Sequence, residues 1–456
     1  MSEPAKKYDV GIVGLGYVGL TLATVLAESG SSVIGVETRP EIVEMTNQGI
    51  PHFTETGLPD ALSGVTRSGK LRAAERFDGS FTCDTYIITV GTPLSADGVA
   101  RVDMIEAAAR DIAANMRDGA LVILRSTVKV GTTRDVVAPA LAESGKQFDS
   151  RDVPERTLEG KALQELRELP QIVGADEQAV ADRAAALFRR LTNSIVQVSG
   201  GVETAEIIKL VSNTFRDVQF AFANEVARLC DAFGVNAHEV IASGKLGYSR
   251  TNIPMPGLVG GPCLEKKDPH ILMESARTRG VHLEMTSAGR MINERQPQET
   301  VRFISTEINR RKLSERGTAE DQPGRHGVQG PARDQRPARV DVDQGARPVA
   351  QGASGSRDRP VRPPRHLPPG SAGRGVSGRP GVQPVRGRGE RGGVGRGDRQ
   401  QPSVARPDLA AHDQRVHQPD GFIFDYWNHF SHLPKSELGG DSYFAVGNSG
   451  WVPVDV

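Results

Sequence analysis

Tyr8-Asp-Val-Gly-Ile-Val-Gly-Leu-Gly-Tyr-Val-Gly19 is the stretch whose reading decides how this chain folds. Its first half is a short apolar run rich in β-branched residues, the make-up of a buried strand. Its second half is Gly14-Leu-Gly16-Tyr17-Val18-Gly19, and Leu20 to Gly30 then carry apolar residues at helical spacing up to a glycine stop. A second strand, Ser32-Val-Ile-Gly-Val-Glu37, ends in a carboxylate. The G-x-G-x-x-G motif alone is weak, but strand, glycine turn, helix, strand and acid in this order supply the context a dinucleotide site requires. Gly14 makes the tight turn, Gly16 lets backbone N–H groups reach a pyrophosphate, and Gly19 lets helix and strand close together. Tyr17 and Val18 open the helix, whose N-terminus brings partial positive charge to the phosphates. Glu37 is placed to accept from both ribose hydroxyls and to repel a 2′-phosphate, which favours NAD over NADP; Arg39 weakens that preference.

Outward from this unit the alternation continues. Thr85 to Val90 reads as a strand running into Gly91-Thr92-Pro93, and Gly119 to Arg125 as another running into Ser126-Thr127. Both end in small hydroxyl residues, where a doubly wound sheet presents its ligands. Met104 to Met116 is helical between them, and alternating β and α elements argue for a parallel sheet.

The whole chain has 456 residues, enough for about two or three domains. Zero net charge and a near-neutral pI of about 7.2 give no sign of a nucleic-acid or anionic-membrane partner. The start, Met-Ser-Glu-Pro-Ala-Lys-Lys-Tyr, leads into no apolar signal core, and no run reaches the roughly 18 apolar residues of a membrane span. Cys83, Cys230 and Cys263 are odd in number and far apart, which suits a reduced, cytoplasmic setting better than a disulfide framework. No metal-ligand spacing is present.

The middle of the chain carries the reactive groups. Asp152-Val-Pro-Glu155-Arg156-Thr-Leu-Glu159-Gly160 offers Glu155 and Glu159 one helical turn apart. Gly201 to Phe233 reads as one long helix with apolar residues on more than one face, suited to burial between domains or in a dimer. On it Lys209 and Asn213 share a face, a pair able to stabilise an oxyanion or simply to meet solvent. Leu258-Val-Gly-Gly-Pro-Cys-Leu-Glu-Lys-Lys-Asp-Pro-His270 sets Cys263 behind two glycines with charges close by. That is either a nucleophile loop, with lysines to tune the thiol, or a surface turn with an incidental cysteine.

Taken in order, these motifs resemble the nucleotide-sugar dehydrogenases, the UDP-glucose and UDP-N-acetylhexosamine 6-dehydrogenase family. The resemblance rests on Gly14-Leu-Gly-Tyr-Val-Gly-Leu20, Asn47-Gln-Gly49, Glu55-Thr-Gly-Leu58, Val90-Gly-Thr-Pro93, Ser126-Thr127, Pro154-Glu-Arg156 with Glu159-Gly160, Lys209-Leu-Val-Ser-Asn213-Thr-Phe-Arg-Asp217, and Gly260-Gly-Pro-Cys263. It implies a Rossmann NAD-binding domain over 1–195 and a central long-helix domain over 196–313. A C-terminal UDP-binding Rossmann-like domain would follow, and the protein would be a homodimer through the 201–233 helix. The implied reaction oxidises the C6 alcohol of a UDP-sugar to a uronic acid for polysaccharide precursors, through a Cys263 thiohemiacetal and thioester. Family roles would make Lys209 and Asn213 the oxyanion and substrate holders, Asp268 a base acting with water, and Glu159 and Thr127 holders of the hydrolytic water. Glu155, Arg156 and Gly260 would bind substrate; Gly91, Thr92, Pro93, Ser126 and Thr127 would line the cofactor. The Pro-Glu-Arg form leans towards UDP-N-acetylhexosamines such as UDP-N-acetylmannosamine, with UDP-glucose next. One departure stands out: the family spaces this Cys and Asp by four residues, and here they are five apart. An added residue displaces Asp268 by up to about 3.5 Å.

From Gly317 to Asp420 the chain contains no Phe, Trp, Tyr, Ile, Met, Lys, Asn or Cys, and its only leucines are Leu367 and Leu409. Such a segment cannot bury enough apolar surface to offset its ordering entropy, so it is expected to be disordered. We read it as the UDP-binding domain translated in a shifted frame, with 421–456 the rejoined end of that domain; a native linker is the alternative, and the codons decide. Two other functional readings stay open. One is a β-hydroxyacid-type dehydrogenase, which needs no cysteine. The other is a NAD-binding but catalytically dead copy.

Overall fold

The computed structural model describes residues 5–198, 200–261, 263–265, 267–320, 423–425 and 443–447. The low-complexity segment expected over 317–420 lies outside the described residues from 321 onward, as does most of 421–456.

The N-terminal part is one eight-stranded sheet flanked by helices on both faces. Its first unit is β1 (Lys6–Val13), α1 (Tyr17–Glu28) and β2 (Val33–Val36), followed by α2 (Pro40–Asn47), α3 (Leu58–Arg67) and β3 (Leu71–Ala74). Next come β4 (Phe81–Ile88), α4 (Asp103–Asn115), β5 (Ala120–Leu124), a π-helical turn over Thr133–Val137 and α5 (Ala138–Ala142). β6 (Phe148–Asp152), α6 (Ala162–Glu168), β7 (Gln171–Gly174), α7 (Gln178–Phe188) and β8 (Ile195–Val198) complete it. The strand order is β3-β2-β1-β4-β5-β6-β7-β8. The chain reverses its direction of winding between β1 and β4, which leaves a crevice at their carboxyl ends, the ligand position of doubly wound sheets.

Alternate residues of the central strands go to opposite layers, as the pleat demands. Leu121 and Ile123 of β5 pack with Leu20, Leu26 and Ile87 in one core layer. Val122 and Leu124 pack with Tyr86, Ile88, Ile105 and Ile112 in the other. The observed β4 starts and ends earlier than the Thr85–Val90 expected. Just past its end the Thr89 N–H still donates to the Val13 carbonyl (2.9 Å), and the Thr89 hydroxyl donates to the carbonyls of Val13 (3.0 Å) and Gly14 (2.7 Å), tying β4 to the glycine turn. Pairing is parallel from β3 to β6, but β7 meets β6 antiparallel through Asp152 and Gly174. β7 and β8 therefore add a reversed pair to the parallel sheet, and β8 carries it to Val198, three residues past the boundary of 195 read from sequence.

α8 (Gly201–Phe233) follows with the bounds read from the sequence. No proline interrupts it, and Gly234, at φ +66°, supplies the left-handed stop. It is rooted against the sheet: a Cβ on Gly174 would lie 2.6 Å from the Ala205 Cβ. α9 (Ala237–Lys245), α10 (Asp268–Arg277) and α11 (Glu284–Glu320) complete the helical part. The α11 backbone runs past the expected limit of 313 and to Glu320, four residues into the segment whose composition changes at Gly317. Two short parallel strands, β9 (Ile423–Asp425) and β10 (Tyr443–Ala445), return to these helices. The ring of Phe303 on α11 lies 5.1 Å from those of Phe424 and Phe444, and the Ala237 N–H donates to the Gly447 carbonyl (2.8 Å).

Candidate active site

The crevice at the β1–β4 switch point is a cavity of about 450 Å³ lined by Gly14, Gly16, Glu37, Arg39, Thr89 and Gly91 among others. The three glycines of the turn are there for different reasons. Gly14 has φ +93°, a left-handed conformation open to glycine. A Cβ on Gly19 would stand 1.9 Å from the Gly14 carbonyl oxygen, so α1 can approach β1 only without one. A Cβ on Gly16 would meet no protein atom within 4 Å. What Gly16 keeps clear is space outside the protein. It is also the N-cap of α1, and no side chain caps that helix, so its first N–H groups face the crevice. These features fit a dinucleotide pyrophosphate.

Glu37 closes the other end of the crevice and is almost fully buried. Its carboxylate accepts from the Leu15 N–H (3.0 Å), the Arg39 N–H (3.2 Å) and the Arg39 guanidinium (2.9 Å). Burial works against its charge, but these donors together hold the carboxyl below the usual carboxylate range. It is thus an anion at neutral pH, suited to accept from ribose hydroxyls. The loops after β4 and β5 are cross-tied: Thr92 Oγ1 donates to the Thr127 carbonyl (2.5 Å), and Ser126 Oγ to the Val90 carbonyl (2.7 Å). Pro93 is exposed, and its carbonyl accepts from the Arg101 N–H (2.9 Å).

The second cluster gathers Glu155, Lys209, Asn213, Cys263 and Asp268 along the N-terminal half of α8. Lys209 Nζ lies 3.5 Å from Glu155 Oε2, and both side chains are largely buried. Asn213 Nδ2 donates to Asp268 Oδ2 (2.5 Å). Asp268 is fully buried at the start of α10, and its Oδ1 accepts no hydrogen bond. Lys267 Nζ is 4.0 Å from that oxygen. The extra residue before Asp268 does not carry it out of the site. The Asp268 N–H donates to the Cys263 carbonyl (2.8 Å), so a turn one residue wider than an α-turn absorbs the insertion. Of the two loop glycines, Gly261 (φ +89°) needs to be glycine for its backbone, whereas Gly260 is exposed and open.

Cys263 is half-buried, unlike the buried Cys83 and Cys230. Burial pushes its thiol up, and the Asp268 carboxylate pushes it further, while Lys267 and Lys209 pull it back. Burial likewise raises the Asp268 carboxyl, against Lys267, Lys209 and the Asn213 amide. Without ligand the thiol is therefore protonated at neutral pH.

The remaining sequence-read residues lie apart from this cluster. Arg156 donates to the Pro170 carbonyl (3.3 Å). Glu159 is exposed on the turn beside Tyr17, whose phenol is pushed up by burial and by the Glu55 carboxylate, with a smaller push from Glu159. That turn is organised by Glu55, to which sequence reading assigned no role. The Glu55 carboxylate is buried and accepts from the Tyr17 hydroxyl (2.5 Å), the Gly160 N–H (2.7 Å) and the Ala162 N–H (3.0 Å). It joins the dinucleotide turn to the segment bearing Glu155 and Glu159. A second network lies beneath the cysteine loop: Asp217, the last residue of the Lys209–Asp217 motif, with Arg290 and Asn293, to which sequence reading assigned no role. The only sequence signal for the latter two is that Arg290, Asn293 and Glu294 share one face of α11.

Among the described residues no helix is long and apolar enough to cross a membrane, and no group of three or more His, Cys, Asp or Glu is placed to hold a metal ion. Residues 8–192 match the model of the UDP-glucose/GDP-mannose dehydrogenase family NAD binding domain, and residues 203–295 match that family's central domain. A UDP-N-acetyl-D-mannosamine dehydrogenase of Pyrococcus horikoshii is 36% identical over 294 residues, covering 63% of this chain and 68% of the relative. An NDP-N-acetyl-D-galactosaminuronic acid dehydrogenase of Ralstonia nicotianae is 36% identical over 279 residues, covering 59% and 64%. The solved structure of the Pyrococcus horikoshii UDP-D-ManNAc dehydrogenase superposes with a TM-score of 0.62 at 34% identity, covering 66% of this chain and 72% of that one. That of a Pyrobaculum islandicum UDP-glucose dehydrogenase does so with 0.60 at 30%, covering 68% and 73%.

Proposed function

The chain belongs to the UDP-glucose/GDP-mannose dehydrogenase family, and we propose that its site oxidises the C6 alcohol of a UDP-sugar to the carboxylate, with Cys263 as nucleophile. The observation that carries this reading is a half-buried thiol faced by Lys209 and Asp268, with Asn213 holding the Asp268 carboxylate. A β-hydroxyacid-type dehydrogenase has use for the first two but not for the cysteine. The sugar we favour is a UDP-N-acetylhexosamine such as UDP-N-acetylmannosamine, followed by UDP-glucose. Relatives named for UDP-N-acetyl-D-mannosamine, at 36% and 34% identity, and the Pro154-Glu155-Arg156 form support that order.

Gly14, Gly16, the start of α1 and Glu37 would hold NAD, which supplies the hydride acceptor for both oxidations. The first oxidation converts the C6 alcohol to an aldehyde. Cys263 then adds to the aldehyde carbon, and Lys209 and Asn213 face the oxygen that gains charge. Oxidation of this thiohemiacetal leaves a thioester. Asp268 Oδ1, with no donor of its own, is the group open to a water that hydrolyses the thioester to acid and free thiol. Glu155, fixed by Lys209, would hold the sugar; Glu159, on the turn beside Tyr17, stands outside the cluster and takes no part in this hydrolysis.

Composition favours a second reading. The segment 317–420 lacks the residues of a packed domain, so the UDP end of the substrate would have little to hold it. On this reading the chain binds NAD but neither UDP nor a UDP-sugar. Separate calorimetric titrations decide: UDP binding, or robust NADH production from a UDP-hexose, removes the dead-copy reading, and absence of NAD binding removes both.

The partner we propose is a second copy of the chain. Ile207, Val211, Phe215, Phe222, Leu229 and Phe233 are exposed large apolar residues within one 80° arc of α8, a stripe about 39 Å long. A two-fold axis across the helix would cover each stripe with its copy. Replacing Phe215 and Phe222 by lysine is expected to leave a monomer in analytical ultracentrifugation. Unchanged mass for that variant would place the interface elsewhere.

A further inference from the structure

Arg290 lies on α11, outside the cofactor crevice and outside the cluster around the thiol, yet it is buried and nearly all of its donors are engaged. Nη1 donates to Asp217 Oδ1 (2.6 Å) and to the Leu264 carbonyl (3.2 Å). Nε and Nη2 both donate to Glu294 Oε1 (3.3 Å each). The anchors on either side are themselves fixed. Asp217, on α8, also accepts from Asn293 Nδ2 (3.0 Å), and Glu294 lies 3.3 Å from His270 Nε2 on α10. Asn293 in turn accepts from Asn224, whose amide group bonds both the N–H and the carbonyl of Gly257, where the cysteine loop begins.

Leu264 is the residue after Cys263. Its carbonyl is thus pinned from α11, and the Cys263 carbonyl is pinned by the Asp268 N–H. The geometry assigns Arg290 as the positioning residue of the cysteine loop: it fixes the peptide after Leu264, one residue beyond Cys263, relative to α8, which carries Lys209 and Asn213. Of all side chains only arginine presents donors in a planar fork that serves a carboxylate on each side and a carbonyl between them. Two successive fixed carbonyls, those of Cys263 and Leu264, hold the backbone just after the thiol-bearing carbon and leave the thiol little freedom to swing out of the cluster. The role rests on Cys263 being the nucleophile, because only then does the loop's placement matter to chemistry.

The test reads the thiol directly and needs no turnover. The full-length chain is alkylated with iodoacetamide across pH 6–11, and each cysteine is followed by mass spectrometry, in wild type, Arg290→Lys and Arg290→Met. The charged groups that face the Cys263 thiol are Asp268 and Lys267 from its own loop, Lys209 from α8 and Glu155 from the segment after β6. Freed from the clamp, the thiol leaves these groups and its burial. Its titration midpoint is expected to fall by about one unit, with labelling near pH 8 about tenfold faster. Lysine at 290 keeps the ion pair with Asp217 but cannot also reach Glu294 and Leu264, so Arg290→Lys is expected to fall between the other two. NAD binding reports folding. If Arg290→Met loses it because Asp217 is left buried and unpaired, Arg290→Lys alone decides. Profiles for Cys263 that superpose on wild type overturn the assignment. So does parallel acceleration at the buried Cys83 and Cys230, which would signal general loosening. Acid formation by a Cys263→Ser chain tests the nucleophile itself, and its result leaves this one standing or falling on its own.

Discussion

Cys263→Ser is expected to lower formation of the sugar acid at least about a thousandfold, while the first oxidation to the aldehyde persists. The first hydride leaves an alcohol and needs no thiol. The second needs a tetrahedral adduct, and serine makes a poor one at neutral pH, because its hydroxyl is a far weaker acid than a thiol. Lys209 and Lys267 can draw a thiol towards thiolate, but an alkoxide is far out of their reach. Any ester that forms is also less readily hydrolysed than a thioester. The measurement is single-turnover production of NADH and acid, with enzyme in excess over a UDP-N-acetylhexosamine. Wild type should give two NADH per acid; the variant should release aldehyde with one. Acid formed by Cys263→Ser at the wild-type rate would instead favour the cysteine-independent, β-hydroxyacid type of chemistry. The rate of the wild-type second step should also rise with pH, because burial and Asp268 raise the thiol and its reactive form appears only above that raised value.

Gly19→Ala is expected to abolish NAD binding together with stability, whereas Gly16→Ala should abolish binding alone. A Cβ on residue 19 would stand 1.9 Å from a backbone oxygen and 2.7 Å from Thr89 Oγ1. Neither is the end of a flexible chain. α1 must shift away from β1, which breaks the tie between Thr89 and the glycine turn and costs about 3 kcal/mol or more. The same energy lost from the cofactor site is roughly a hundredfold in affinity. At Gly16 the added carbon meets no protein atom, so melting should be unaffected while the pyrophosphate loses its approach. Calorimetry with NAD and thermal melting of both variants check this. A Gly16→Ala chain that binds NAD normally would show that the phosphates sit elsewhere.

The cofactor half was legible because its signal is local. Glycines with steric duties, one helical repeat and a terminal carboxylate all fall within residues 8–37. α8 was legible because 33 residues run without a breaker and end on Gly234. The strand that joins the reversed edge to the parallel sheet was not. β6 reads Phe-Asp-Ser-Arg-Asp, as polar a string as many loops, and it is inside because its charges are buried with others. Asp152 is wholly buried with no donor on either oxygen, and burial, with Glu206 close by, holds it well above the usual carboxylate range despite Arg125. No periodicity announces a strand built that way. In the thiol site the residue types were readable and the connections were not. Counting residues between Cys263 and Asp268 suggested a displaced carboxylate, but a wider turn cancels the count. Arg290 meets Asp217 across 73 residues of chain, and Glu55 meets Gly160 across 105. Single-sequence patterns do not reach that far.

The strand order carries a consequence for the life of the chain on the ribosome. All eight strands of the large sheet lie between Lys6 and Val198, and the pair at the reversal of winding, β1 and β4, joins residues such as Lys6 and Phe81, 75 positions apart. Such pairing is slow to nucleate, yet synthesis is slow as well, and domains emerge and fold from the N-terminus first. The nucleotide-binding half has every strand it needs before residue 317 is translated. Whatever the codons beyond that point encode, a finished cofactor site would already be in place. A cell making this chain would therefore withdraw dinucleotide from its free pool in proportion to expression, even if no sugar were ever oxidised.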